Sequence, residues 1–344
     1  MLRSMFSGIS GLKANQTKLD VIGNNIANVN TTAFKNQRIR FQDVLSQNLK
    51  FGTGASANVG GTNPSQVGLG VEVAGIDTMV SQGNMQPTGS NLDFAVDGSG
   101  YFVVARGKAD ETFDNLDVYF TRDGSFTLDD FGQLLTSDGY RVLGYPIDGA
   151  EIDNTTKPPT LKVPTKEVEI KDKDGKPIKD KDGNTIKKIV PDQGDEIKAE
   201  GNLQPLIIPD EVMYGDKPMA IKNFSVDKNG VINAVLDNNE MVAIGQIGMG
   251  NFKNPAGLYK EGKNLYSGSA SSGQAIYRSG VGADKDASNE GGYGDIIQGR
   301  LEMSNVDLAE QFTEMIVASR AFQANGKIIT TGDEILQDLV NLKR

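Results

Sequence analysis

Cysteine, histidine and tryptophan are all missing from the 344 residues. Without cysteine there is no disulfide, thiolate nucleophile or iron–sulfur ligand, so stability rests on packing and assembly. Without histidine there is no imidazole zinc site, no Ser-His-Asp triad and no ordinary general base near neutral pH. Catalysis would fall to carboxylates, lysine or tyrosine. Long apolar runs are missing too: none approaches the ~20 residues that a bilayer span needs. Ser4, Ser7, Gly8, Ser10, Gly11 and Lys13 break up any apolar stretch of a cleavable leader. Membrane insertion is therefore not expected, and any export leaves the N-terminus intact. Positive charge is in deficit, with 35 Lys and Arg against 45 Asp and Glu for a net charge of -10. That balance argues against nucleic acid as a partner. Arg3, Lys13, Lys18, Lys35, Arg38 and Arg40 make the first forty residues basic, but scattered, as on a solvated or intersubunit face.

What is present lies first at the two ends. Leu2, Met5, Ile9, Leu12, Gln16, Leu19, Gly23 and Ile26 follow alternating steps of three and four, a heptad seam interrupted only by Gln16 and Gly23. Near the other end Leu308, Phe312, Met315, Phe322, Ile329 and Leu336 follow the same rule, and Ile328, Ile335, Leu339 and Leu342 add a second row. Two adjacent rows call for contact with at least two other helices, whereas one chain offers one. Polymerisation is the expected consequence, since a patch left uncovered in a closed pair makes open-ended contacts. The first helix is expected from Leu2 to about Val29. Asn15, Asn24, Asn25 and Asn28 weaken it, so alone it should fray. Asn30, Thr31 and Thr32 then form a stop before an apolar anchor, Phe34, and Phe41, Val44 and Leu45 suggest a short helical or extended piece.

The middle reads differently. Residues 51–71, rich in Gly, Ser, Thr and Asn, are expected to form a loop or an extended arm lying on a neighbour. Short alternating apolar runs from about Asp77 to Pro146 are broken by Asp-Gly at 97, 123 and 138, a strong hairpin signal. The pattern returns from Ile221 around Asn-Gly and Asn-Asn. The expected class is α+β: terminal helices pairing as a coiled-coil-like assembly domain (1–75 with 291–344), a discontinuous antiparallel β domain (76–146 with 221–290) and an inserted outer β domain (147–220).

Candidates for chemistry yield to plainer readings. Ser99 in DGSGY has no histidine to activate it and reads as a turn. The Gly-rich stretches lack the patterns that cradle phosphate. The repeat IKDKDGKP and IKDKDGNT at 170–185 resembles a calcium loop, but loop position one would be Ile170 or Ile178 and position twelve Lys181 or Ile189. It reads as charged hairpins. No residue is assigned a catalytic, metal or cofactor role, and no cofactor is expected.

The segment Leu19–Lys35, LDVIGNNIANVNTTAFK, resembles the N-terminal motif of bacterial flagellar rod and hook proteins, through Asn24, Asn25, Asn28, Asn30, Thr31, Thr32, Phe34 and Lys35. LDFAVDGSGYFVV and FTRDGSFTLDDFGQLLTSDGYRVLGYP are similar to that family's β segments, and the stretch from Leu301 to Lys343 to its last helix. The opening residues, the EMSNVDL string and the insert look most like hook subunits, because rod proteins are usually shorter in the middle; a distal rod protein is the alternative. The resemblance implies export through the flagellar type III apparatus and stacking into a curved extracellular tube, a universal joint. It also implies contacts with the distal rod protein, hook cap and hook-filament junction proteins. From another class, an extracellular β-rich binding module on a helical stalk would fit the same pattern, and a carboxylate glycosidase would be the one plausible enzyme. Ala33 stands where the family commonly has Gly, which implies a locally more helical loop with φ below zero.

Overall fold

The computed structural model describes residues 2–54, 60–107, 116–147, 151–153, 160–163, 165–169, 187–191, 199, 202–214, 217–283 and 288–342. The fold is α+β and separates into two compact units, 1–83 with 304–344 and 84–303. The boundaries thus differ from the expected 75/76 and 290/291, for a reason visible in the pairing. The strand ending at Thr78 pairs with Gln37–Asp43 in the first unit. Asp295–Gln298 and Arg300–Glu302 pair with Phe94–Asp97 and Met85–Pro87 in the second.

Unit one contains α1 (Leu2–Ala27), β1 (Gln37–Asp43), β2 (Ser46–Lys50), β3 (Ser65–Gly68), β4 (Val71–Thr78) and α2 (Leu308–Asn341). α1 stops two residues short of the expected Val29, where Asn28 donates its side-chain amide to the Asn24 carbonyl (2.9 Å). α2 starts at Asp307, whose Oδ1 accepts from the Ala309 and Glu310 N–H groups (2.8 and 3.3 Å) and satisfies two of the helix's unpaired donors. Phe41 lies in a strand, because Ile39 and Phe41 alternate with Arg38 and Arg40 at the period of two that an extended chain requires. Within the Gly-rich stretch β3 pairs with β2, and both strands are exposed along their length.

Ala33 departs from expectation. Its φ is 55° while the residue is 2% exposed, so the loop takes the left-handed conformation that glycine favours, and the methyl is buried there. Relief of left-handed strain in Ala33→Gly is worth about 1–2 kcal/mol. The lost methyl burial costs about 0.8 kcal/mol, and the added freedom of the unfolded chain about 0.4–1 kcal/mol. Ala33→Gly should therefore change stability by less than about 1 kcal/mol in either direction, whereas Ala33→Val, β-branched at positive φ, should cost about 2–3 kcal/mol. Urea unfolding followed by helical circular dichroism checks both; a glycine variant destabilised as much as the valine variant would contradict the assignment.

Unit two is built on a 16-stranded, mostly antiparallel sheet, with Thr160–Val163 and Glu211–Tyr214 paired in parallel. Lys217–Val226, Val231–Leu236 and Met241–Ile247 form a meander whose last strand pairs with Arg141–Pro146, which continues through Tyr101–Arg106 to Asp117–Thr121. The two β stretches expected to form one discontinuous domain are thus joined edge to edge. Phe94, Phe102, Phe126, Leu134, Ile232 and Val242 fill the main core. Leu161 and Val212 belong to that core, and Glu211–Tyr214 pairs with Lys217–Val226. The described residues of 147–220 are consequently part of unit two, rather than a detached outer domain. The repeat at 170–185 lies outside the described residues.

Of the three Asp-Gly pairs, Asp138-Gly139 closes a hairpin, with Leu135 opposite Arg141 and Gly139 at φ 81°. The other two serve close packing. Phe94–Asp97 pairs with Asp295–Gln298 across the chain, and a side chain at Gly124 would strike the Phe94 carbonyl oxygen. Asn229-Gly230 and Asn238-Asn239 both turn hairpins, with Gly230 and Asn239 at positive φ.

Candidate assembly interface

The helices of unit one run antiparallel, with Gly332 against Met5, Gly8 against Ile329 and Lys18 Nζ 3.5 Å from Glu314. On α1 the side turned to α2 is made of small residues. Gly8, Gly11 and Ala14 are buried, followed by Val21, Ile22 and Asn25. A Cβ at Gly11 would meet the Asn325 side chain at 2.7 Å, so the missing side chain sets how closely the backbones approach. On α2 the matching seam runs through Gln311, Met315, Ala318, Phe322, Asn325, Ile329, Gly332 and Leu336, which alternate by four and three residues.

The predicted α1 row is displaced from this seam. Met5, Leu12, Leu19 and Ile26 are half-buried at its edge and Ile9 is exposed; Leu2 begins the helix. Met315, Ile329 and Leu336 are half-buried along the seam, whereas Phe322, at the same phase, is exposed. Leu308, Phe312, Ile328, Ile335, Leu339 and Leu342 are exposed, joined by Phe6 (65% exposed) and Ile316 (63%). One surface of the pair is therefore covered, while large apolar side chains on either flank of the seam stay open to solvent. Large apolar side chains exposed in such number mark a surface that binds.

The residues after α1 hold the base of the pair together. Asn25 is fully buried; its Nδ2 donates to the Gln37 carbonyl (2.9 Å) and to Gln311 Oε1 (3.0 Å), and its Oδ1 accepts from the Gln37 N–H (3.0 Å). One carboxamide thus joins α1, β1 and α2, a task that needs a donor and an acceptor on one short side chain. Asn28 accepts from Thr31 Oγ1 (3.1 Å) and so tightens the end of α1, where the Phe34 N–H reaches the Thr31 carbonyl (3.4 Å). Asn24 and Asn30 are exposed, and Thr32 is half-buried. Lys35 is buried, and its ammonium donates to the Ser81 carbonyl (2.9 Å); burying that charge is costly without such acceptors.

Asn305, not singled out in the sequence, completes this clamp. Its Oδ1 accepts from the Asn36 N–H (2.7 Å), and its Nδ2 donates to the carbonyls of Met79 (2.9 Å) and Ser81 (3.1 Å). The available signal was an asparagine two residues before a helix cap, within EMSNVDL. Among the described residues, no helix is long and apolar enough to cross a membrane, and no group of acidic residues is placed to hold a metal ion. The Ser99 carbonyl accepts from the Gly294 N–H (2.8 Å), a packing role.

Comparison with known proteins matches these parts one by one. The family model described as "Flagella basal body rod protein" matches residues 5–35, which hold α1 and its motif. "Flagellar hook protein FlgE/F/G D1 domain" matches 95–234 in unit two. "Flagellar basal body rod FlgEFG protein C-terminal" matches 297–342, with Glu302, Asn305 and α2. The chain is 41% identical to the flagellar basal-body rod protein FlgG of Bacillus subtilis, over 100% of both chains. It is 31% identical to the flagellar hook protein FlgE of Borreliella burgdorferi, again over 100% of both. It is also 31% identical to the FlgG of that organism, over 100% of both. These relatives are structural components rather than enzymes, and the helix pair, its asparagine clamp and the 16-stranded sheet are therefore parts of a chain that belongs to the flagellar rod and hook protein family.

Proposed function

We propose that the chain is a structural subunit of the flagellar hook, polymerising through its helix pair into a flexible curved tube. The observation that carries the reading is the apolar side chains left open on α2, with Phe312, Ile316, Ile335 and Leu339 exposed although α1 and α2 already cover each other. Burying each such side chain contributes about 1.5–3 kcal/mol, and further copies are the available cover. The assembly residues on this reading are Leu2, Met5, Ile9, Leu12, Leu19 and Ile26 on α1. On α2 they are Leu308, Phe312, Met315, Phe322, Ile329, Leu336 and Leu339. Polar contacts between the β units of neighbouring copies slide as the tube bends. The partners are further copies, the distal rod protein, the hook cap, the hook-filament junction proteins and the export apparatus, and the location is outside the cell.

A second reading, a straight distal rod, is supported by a specific observation. The alignment with the Bacillus subtilis FlgG spans 344 positions and covers both chains fully, whereas that with the Borreliella hook protein spans 459. The insert at 147–220 therefore does not separate hook from rod. Electron microscopy of tubes grown from the purified chain is the test. Curved tubes are expected for a hook and straight ones for a rod; a discrete small oligomer in sedimentation would overturn both in favour of a stalked binding module.

A further inference from the structure

We propose that the buried pair Arg122–Glu302 is a mechanical fastener, the first fixed point through which load on the C-terminal strand enters the β unit. That role rests on the polymer reading above for the origin of the load, since a tube that bends or turns strains each of its subunits. The chain passes between its two units twice, at 83/84 and at 303/304. Within unit one Asn305 ties the two passages together, donating to the carbonyls of Met79 (2.9 Å) and Ser81 (3.1 Å). Only Met303 and Ser304 separate Asn305 from Glu302.

Within unit two the same passages continue as Met85–Pro87 and Arg300–Glu302, which pair antiparallel with Glu302 opposite Met85. The Met303 N–H adds a bond to the Asn84 carbonyl (2.8 Å). Among the described residues these two strands form a sheet of their own, with no ladder to the 16-stranded sheet. Strands pulled together keep their mutual bonds, so those bonds do not hold them in the unit. A strand pulled singly gives them up one at a time from the Met303 end. Two strands alone make a marginal structure, and the ribbon needs a fastening to the large sheet.

Glu302 supplies it. Its carboxylate is buried and accepts from Arg122 Nη1 (3.2 Å). Arg122 follows directly on Asp117–Thr121, a strand of the large sheet, and its Nε and Nη2 donate to the Gly100 and Gly98 carbonyls just before Tyr101–Arg106, the next strand of that sheet. One guanidinium therefore joins the ribbon to two strands, and its planar fork opposes displacement along more than one direction. Burial also removes water as a competing partner. Further inside, Gly299 and Ile296 donate to the carbonyls of Asp93 (2.7 Å) and Lys228 (2.9 Å). A pull arriving from Met303 thus meets Glu302 first.

The test stretches single full-length chains at constant force between introduced cysteines, which are unique because the chain has none of its own. One handle is Lys222→Cys in unit two; the other is Lys327→Cys on α2 or, as a control, Tyr259→Cys in unit two, all three positions being exposed. Once the helix pair has opened, tension between the Lys222 and Lys327 positions reaches unit two through Met303. Arg122→Met with Glu302→Leu replaces the pair by apolar side chains and should keep the melting temperature of unit two near wild type. Its lifetime under load should nevertheless fall about tenfold or more in this geometry, and stay within about threefold of wild type between the Lys222 and Tyr259 positions. Glu302→Gln, which keeps the shape and removes the charge, should shorten the first lifetime about threefold or more and serves if the double variant does not fold. Wild-type lifetimes in the first geometry, or equal shortening in both, would overturn the fastener. A wild-type chain that grows no tubes would overturn the polymer reading and leave the force result standing.

Discussion

Arg122→Met is expected to lower the stability of unit two by about 3–5 kcal/mol, the cost of leaving a buried charge without its partner. Arg122 is 3% exposed and Glu302 1%. The guanidinium donates through Nε to the Gly100 carbonyl (2.9 Å), through Nη1 to Glu302 Oε2 (3.2 Å) and through Nη2 to the Gly98 carbonyl. Its carbon lies 5.4 Å from the Tyr101 ring centroid, so each donor group and one face of the plane are engaged. The drop corresponds to a fall in melting temperature of roughly 6–20 °C for a unit of this size. Arg122→Met with Glu302→Leu should recover most of it, because the second change removes the stranded carboxylate. The surface pair Arg40–Asp77 is shorter, at 2.6 Å, yet its side chains are 58% and 31% exposed, and Arg40→Met should cost no more than about 1 kcal/mol. Calorimetry of the three variants against wild type decides. Equal losses in the Arg122 single and the double would mean that the ion pair is not what holds Glu302 in place.

That contrast marks what the sequence could disclose. The α+β class, the antiparallel sheet and the meeting of the chain ends follow from period, turn residues and the order of segments, and each was legible. The phase of the helix contact was not. A reading by hydrophobicity selects Leu12, Leu19 and Ile26, because large apolar residues dominate a heptad score. The pair instead closes on Gly8, Gly11 and Ala14 against Ala318, Asn325 and Gly332, where small side chains allow backbones to approach and dispersion contacts to accumulate. Gly23, which interrupts the predicted row, has nothing within 4 Å of a Cβ built on it and is a propensity defect rather than a contact.

The roles of Asn25 and Asn305 were hidden for another reason. Their partners, Gln37, Gln311, Asn36 and Ser81, are distant in sequence, and only the fold decides which asparagine finds a backbone to bond. Nothing in FTRDGSF marks Arg122, because burial of a charge depends on the return strand that brings Glu302. The insert was misjudged on the same ground. Its lysines and aspartates suggested a solvated module, while Leu161, Leu206, Ile208 and Val212, sparse in the sequence, fill the main core. Deleting 147–220 would open that core.

Deleting Met1–Ile26 should abolish polymerisation altogether and leave unit two folded. The three buried hydrophobic clusters all lie within 84–303, so the melting transition of unit two should stay within about 2 °C of wild type. Unit one loses half of its helix pair. Met5 no longer covers Gly332, Lys18 no longer meets Glu314, and Gln311 loses the Asn25 donor. α2 then exposes its seam as well as its outer rows, and a lone amphipathic helix is marginal in water. α1 is a weak helix in its own right, since Gly8, Gly11 and Gly23 each cost about 1 kcal/mol relative to alanine. Its order comes from α2 and the Asn25 clamp. A segment of this kind suits a chain that travels unfolded and gains its helix where other copies cover it. The measurement pairs electron microscopy with calorimetry of the truncated chain. Tubes of normal diameter from that chain would sink the proposal that the helix pair builds the polymer, and loss of the unit-two transition would show that the two units do not fold independently.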